Sequence, residues 1–216
     1  MLGTWGDIGC FSFEEKKLMT TGDGGMICTN DSKLLSDVKA YRWVGIDKDN
    51  WQTSKKYIDE NKDAMHWFYE ISVLGYKYNM NDISAAIGLV QLGKLPKMNH
   101  RRRQIIKRYM NGIEALRTIE PLLPFEPEKY VYQMFGIRAK HKDSLIIYLK
   151  SKGIATGCHY TPLHLQPLFK KYRGDCPIAE NNYRKMITLP LHADLLDEEV
   201  DYILAALRSF EDELRM

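Results

Sequence analysis

Apolar and polar positions change rhythm several times along this chain. Short apolar runs come first. Ile8 to Phe13 and Gly25 to Thr29 each place a few β-prone residues between glycines and polar turns, and both predict strands. Asn30-Asp31-Ser32 then supplies cap chemistry for a helix near Lys33–Arg42, with Leu34, Leu35 and Val38 on one face. Residues 45 to 66 are polar almost throughout and predict a long loop. Asn81 is a good N-cap for an alanine-rich helix through Leu92. Pro96 is expected to interrupt it. A second, amphipathic helix is expected to run to about Leu116, with Ile105, Ile106, Tyr109 and Ile113 at helical spacing. Pro121, Pro124 and Pro127 predict a linker.

After the prolines the pattern becomes that of a small α+β unit. Val131–Arg138 predicts a strand, Lys142–Lys152 a helix closed by Gly153, and Ile154–Tyr160 another strand. A loop rich in proline and histidine follows. Ile178–Met186 reads as a helix, Ile187–Leu191 as extended, and Asp197–Leu214 as an amphipathic helix. The expected division is therefore 1–120 and 121–216. An apolar strand that begins within the first ten residues is expected of a chain that joins a larger fold partway.

Composition narrows the class of protein. The 216 residues, 44% of them hydrophobic, suffice for a real core. The net charge of +3, from 31 basic and 28 acidic residues, gives no concentrated basic patch of the kind that nucleic acid requires. The densest basic run, His100-Arg101-Arg102-Arg103, falls inside a helical pattern and reads mainly as a solvated face. The four cysteines have no CxxC spacing, which predicts reduced thiols in a cytoplasmic protein. No signal-like start and no run of 18 apolar residues occurs, so no membrane contact is expected.

Candidate chemistry concentrates in FSFEEKKLMTTGDGGMICTND, residues 11–31. An ordinary lysine is protonated and a poor nucleophile at neutral pH. Burial or a neighbouring cation can activate it. Lys16 and Lys17 precede Gly22, Gly24 and Gly25, which suit either a tight turn between strands or a close approach of backbone to a phosphate. The residues alone leave both readings open. His159 and His164 lie five apart with no third ligand nearby, so no metal site is expected. Trp43, Trp51, Trp67, Phe68 and Tyr69 flank the polar loop and read as packing before a base-stacking platform.

A resemblance changes these weights. Ser12-Phe13, three residues, Lys17, two residues, then Thr20-Thr21-Gly22-Asp23-Gly24-Gly25 resembles the signature of the DegT/DnrJ/EryC1/StrS sugar aminotransferases. That signature reads SF, three residues, the catalytic lysine, then TTGEGG. Asp23 stands for the usual Glu, and Glu14 for the usual His. Gly75-Tyr76-Lys77-Tyr78-Asn79-Met80 with Ala85-Ala86 and Gln91-Leu92 is similar to the family's GYNYRM and AA.G..QL blocks. Arg101 and Tyr109 match the arginine and tyrosine of the next helix. Gly153-Ile154, His159-Tyr160 through His164, Pro177 through Glu180 and Leu189-Pro190-Leu191 complete an ordered series over nearly the whole chain.

The resemblance implies an α/β chain. It would be the C-terminal portion of a fold-type I transferase dependent on pyridoxal 5'-phosphate (PLP). Residues 1–120 would close the large domain's sheet and carry the interdomain helices, and 121–216 would form the small domain. It implies amino transfer, with glutamate as the usual donor, to a keto group of a nucleotide-linked deoxy sugar. Lys17 would hold the cofactor as an aldimine, and Ser12 would bond its phosphate. Lys77 or Asn79 would reach the partner's phosphate across a homodimer with shared active sites. His159, Tyr160 and His164 would face the substrate. The aspartate that pairs the pyridinium nitrogen belongs, in the family, to sequence upstream of residue 1. Two alternatives follow: a non-catalytic fragment that dimerises, and a nucleotide-sugar-binding module using residues 154–192. A dehydratase relative carries histidine in place of the lysine, and Lys17 argues against it.

Overall fold

The computed structural model describes residues 2–46, 69–122, 126, 129–172 and 174–215. The chain divides into two compact units, Met1–Leu95 and Pro96–Met216.

In the first unit, β1 (Gly9–Ser12) and β2 (Gly25–Cys28) pair antiparallel, with Gly9 opposite Cys28 and Ser12 opposite Gly25. The residues between them, 13–24, hold the lysine pair. Phe11, Met26 and Ile27 of this ribbon are exposed, and Gly9 is buried. Helix α1 (Ser32–Arg42) starts where its cap chemistry predicts. The Asp31 carboxylate accepts from the Lys33 and Leu34 amides at 2.8 and 3.1 Å. Asn81 caps α2 in the same way, accepting from Ser84 N at 2.9 Å.

Helix α2 runs unbroken from Asp82 to Ile113, with Pro96 inside it. The expected interruption is absent. Proline removes one amide donor and crowds one carbonyl. Here packing on both sides outweighs that cost. Gly88 lies against the Thr21 methyl, where an added Cβ would meet it at 2.9 Å, while Ile105, Ile106, Tyr109 and Ile113 are fully buried in the second unit. The junction between the units falls at the proline itself.

The second unit is a three-stranded antiparallel sheet in the order β3 (Ile119–Pro121), β4 (Phe135–Ala139), β5 (Met186–Leu189). Strand β3 lies where a proline linker is expected. Only its last residue is proline, and Ile119 and Glu120 still pair with Ala139 and Arg138. Strand β4 begins at Phe135, later than the expected Val131, and buries Phe135, Ile137 and Ala139 in strict alternation. Helices α3 (Lys142–Ser151) and α5 (Asp197–Glu213) bury Leu145, Leu149, Val200, Leu204 and Leu207 in the same core. Gly112 allows α2 to approach Leu204, which an added Cβ would meet at 2.5 Å. The expected strand 154–160 is reduced to a single bridge, Gly157 to Thr188. Beyond it the chain makes two short 3-10 turns, Leu163–Leu165 and Pro167–Tyr172, and the short helix α4 (Pro177–Tyr183).

The basic run is not a solvated face. Arg101 donates to Leu195 O and pairs with Asp197 at 2.8 Å, and Arg102 donates to Leu191 O at 3.0 Å. Burial lowers the Arg102 pKa, opposed by nearby Asp194. These arginines satisfy the carbonyls of the turn after β5, a duty that helical periodicity does not reveal.

Glu211 is the buried carboxylate of this unit, 2% exposed. Its two oxygens accept the Arg117 amide at 2.7 and 3.0 Å. Glu211→Ala is expected to leave that amide unpaired and cost about 2–3 kcal/mol. Urea unfolding with an unchanged slope would register it.

Candidate active site

The loop between β1 and β2 is clasped at Phe13. The Phe13 amide donates to Gly24 O at 2.8 Å, and its carbonyl accepts Thr21 N at 2.9 Å and Thr20 Oγ1 at 3.2 Å. Thr21 is buried, and its hydroxyl donates to Asp23 O at 2.7 Å. The Thr20 hydroxyl accepts Gly22 N at 2.9 Å. Both threonines therefore fold the TTGDGG stretch on itself. Gly24 (φ +149°) fits because a Cβ there would lie 2.5 Å from Thr21 Oγ1 and 2.9 Å from Met80 Cε. The Met80 contact seats residues 77–80 beside the glycine turn.

This frame separates the two lysines. Lys17 N closes a turn on Glu14 O at 3.0 Å. The Lys16 side chain is exposed and lies 3.9 Å from Glu15. The Lys17 side chain is half-buried, and among the described residues its amine has no hydrogen-bond or ion-pair partner. Ser12 Oγ accepts the Glu14 amide at 3.4 Å, so its own O–H remains available as a donor.

Lys77 and Asn79 share a face, as their spacing predicts. Lys77 Nζ donates to Asn79 Oδ1 at 3.2 Å and sits 4.2 Å from the centre of the Trp43 ring. An ammonium has no acceptor, so the amide must turn its oxygen toward Lys77 and its NH2 away. Trp43 is thus packing, brought to Lys77 by an isolated antiparallel bridge. On the opposite face Tyr76 and Tyr78 stack at 5.2 Å. Tyr69 is exposed, and Trp51, Trp67 and Phe68 lie outside the described residues.

His159, Tyr160 and His164 belong to the second unit. His159 Nδ1 pairs with Thr188 Oγ1 of β5 at 2.8 Å, and its ring meets Tyr160 edge-on at 4.7 Å. His164 is largely buried, with Nε2 3.2 Å from Glu180 of α4; Arg184 binds the other Glu180 oxygen at 3.1 Å. Of the three, only Tyr160 is exposed. Arg101 and Tyr109 are structural: Tyr109 stacks on Phe135 and donates to Pro190 O at 3.0 Å, and burial raises its pKa. Among the described residues no group of three or more His, Cys, Asp or Glu could hold a metal ion, and no helix is long and apolar enough to cross a membrane.

The backbone is that of the PLP-dependent sugar aminotransferases. The putative sugar aminotransferase Spr1654 from Streptococcus pneumoniae, solved in PMP and PLP forms, is 31% identical in the PMP form. It superposes with a TM-score of 0.83 over 98% of this chain and 53% of its own. Residues 1–208 match the DegT/DnrJ/EryC1/StrS aminotransferase family, and the chain belongs to it. The spore coat polysaccharide biosynthesis protein SpsC of Bacillus subtilis is 31% identical over 96% of this chain and 54% of its own length. The uncharacterized protein MJ1066 of Methanocaldococcus jannaschii is 35% identical over 99% and 56%. The chain therefore spans about half the length of the relatives it matches.

Proposed function

We propose that this chain supplies the lysine-bearing part of a nucleotide-sugar aminotransferase. The amino group, taken from glutamate, passes to a keto group of a nucleotide-linked deoxy sugar. The observation that carries the reading is the contrast between Lys17, half-buried with no partner for its amine among the described residues, and Lys16, exposed beside Glu15. PLP, when bound, supplies an electron sink that no side chain provides. The residues present fit it. Lys17 Nζ is the amine that would anchor the group and, once displaced, take up or return the proton of the carbon that bears the amino group. The Ser12 hydroxyl, already accepting from Glu14, has its proton to give to a phosphate oxygen. Asn79 presents amide donors to the phosphate of a partner copy in a homodimer, with the Lys77 charge behind it. Tyr160 is the exposed ring offered to the sugar nucleotide.

Lys77→Ala is expected to free the Asn79 amide to rotate and to weaken PLP binding about fivefold, the loss of one ordinary hydrogen bond. Titration with PLP would measure it. The reading as a whole is tested by adding PLP to the purified chain, reducing with borohydride and mapping the labelled peptide. A visible-range band with label on Lys17 supports it, and an assay with glutamate and nucleotide-linked keto sugars then follows. Label scattered over surface lysines would sink it. That outcome would favour the alternative of a non-catalytic chain that dimerises without holding the cofactor.

A further inference from the structure

In the second unit, Lys142, the first residue of α3, directs its ammonium at three groups. Nζ donates to Tyr183 O at 2.7 Å, lies 4.4 Å from the centre of the Tyr183 ring, and donates to Cys158 Sγ at 3.4 Å. The Tyr183 hydroxyl is itself held by Thr161 Oγ1 at 3.2 Å. Both Lys142 and Cys158 are half-buried, so the sulfur is reachable by a small solute but confined. Cys158 follows Gly157, which exchanges two backbone hydrogen bonds with Thr188 of β5, at 2.9 and 2.7 Å. Neither partner is free to drift. The other cysteines, Cys10, Cys28 and Cys176, are exposed. Oxidant-sensitive cysteines are accessible thiols beside a cation, and a sulfenic acid formed next to a nitrogen nucleophile condenses with it.

We propose that Cys158 and Lys142 form a peroxide-driven, thiol-reversible covalent link. The Cys158 sulfur, reacting as the thiolate beside the Lys142 ammonium, attacks one oxygen of hydrogen peroxide. An S–O bond forms, the O–O bond breaks, and the departing hydroxide takes a proton from the Lys142 ammonium and leaves as water. Sulfur is oxidised by two electrons and peroxide is reduced. The freed Lys142 amine then attacks the same sulfur. An N–S bond forms, the S–OH bond breaks, and the hydroxide carries away a nitrogen proton as a second water. Thiol, amine and peroxide thus become a sulfenamide and two waters. The link ties the start of α3 to the 157–159 segment, whose His159 is bonded to β5.

The test treats the full chain with hydrogen peroxide and follows mass. The expected product is lighter by about 2 Da, the two hydrogens lost, and yields a joined pair of peptides containing residues 142 and 158 that dithiothreitol separates. Cys158 is expected to react about tenfold faster than Cys176. Lys142→Arg keeps a cation and donor but no nucleophilic amine. It should give a dimedone-trapped sulfenic acid at Cys158 and no joined peptides. Peptide mapping of the wild-type chain decides the matter even if that variant folds poorly. Oxidation of Cys158 no faster than that of the three exposed cysteines, or oxidised Cys158 without Lys142 attached, overturns the proposal.

Discussion

Lys17→Ala is expected to abolish cofactor capture and amino transfer while leaving the fold unchanged. The amine of Lys17 has no hydrogen-bond or ion-pair partner among the described residues, and the loop is held by the Phe13 clasp, so removing the side chain breaks no bond that maintains the loop. Stability should move by no more than about 0.5 kcal/mol, as for substitutions away from packed or bonded features. The chemistry has no such tolerance. On the proposed reading Lys17 is both anchor and proton carrier, so the rate should fall at least about a thousandfold. Lys16→Ala is the control. It removes an exposed pair worth about 0–1 kcal/mol and should leave both the visible band and turnover in place. The reverse result, with Lys17→Ala still binding PLP covalently and Lys16→Ala failing, would transfer the role to Lys16.

What the sequence made legible, and what it hid, follows the range of each interaction. Local chemistry was readable: the Asp31 and Asn81 caps, the alternation within β4 and the closing turn at Gly153 (φ +73°) depend on neighbours within a few residues. The spacing from Ser12 to Gly25 was readable because the loop is a self-contained device. Non-local partners were hidden. Nothing near Lys77 announces Trp43, which a bridge across more than thirty residues brings beneath it. Nothing near Arg102 announces the Leu191 carbonyl. Pro96 misled because a helix-breaking cost of about 3 kcal/mol is judged locally, whereas the packing that overrides it lies on α2 well to either side. His164 reads as a loop imidazole until Glu180, sixteen residues later, is seen beside it.

Gly24→Ala is the second large effect, and it separates a positioned lysine from a merely adjacent one. At φ +149° a residue with a side chain is strained by about 1–3 kcal/mol. The new Cβ would also lie 2.5 Å from Thr21 Oγ1, which is not free to yield because its hydroxyl is committed to Asp23 O. Relief requires the turn to shift, and the turn is one side of the Phe13 clasp through Gly24 O. Lys17 sits on the loop that this clasp closes. PLP affinity should therefore fall about thirtyfold, corresponding to about 2 kcal/mol, measured by titration of the visible band. Gly22→Ala is the matched comparison. Gly22 also has positive φ, +81°, but an added Cβ there meets nothing within 4 Å. It should cost about 1 kcal/mol of backbone strain and less than tenfold in affinity. Equal losses from the two substitutions would mean that backbone strain alone matters and that the Thr21–Gly24 contact does not hold the lysine loop. A larger loss from Gly24→Ala would tie Lys17 to the folded TTGDGG turn as its support.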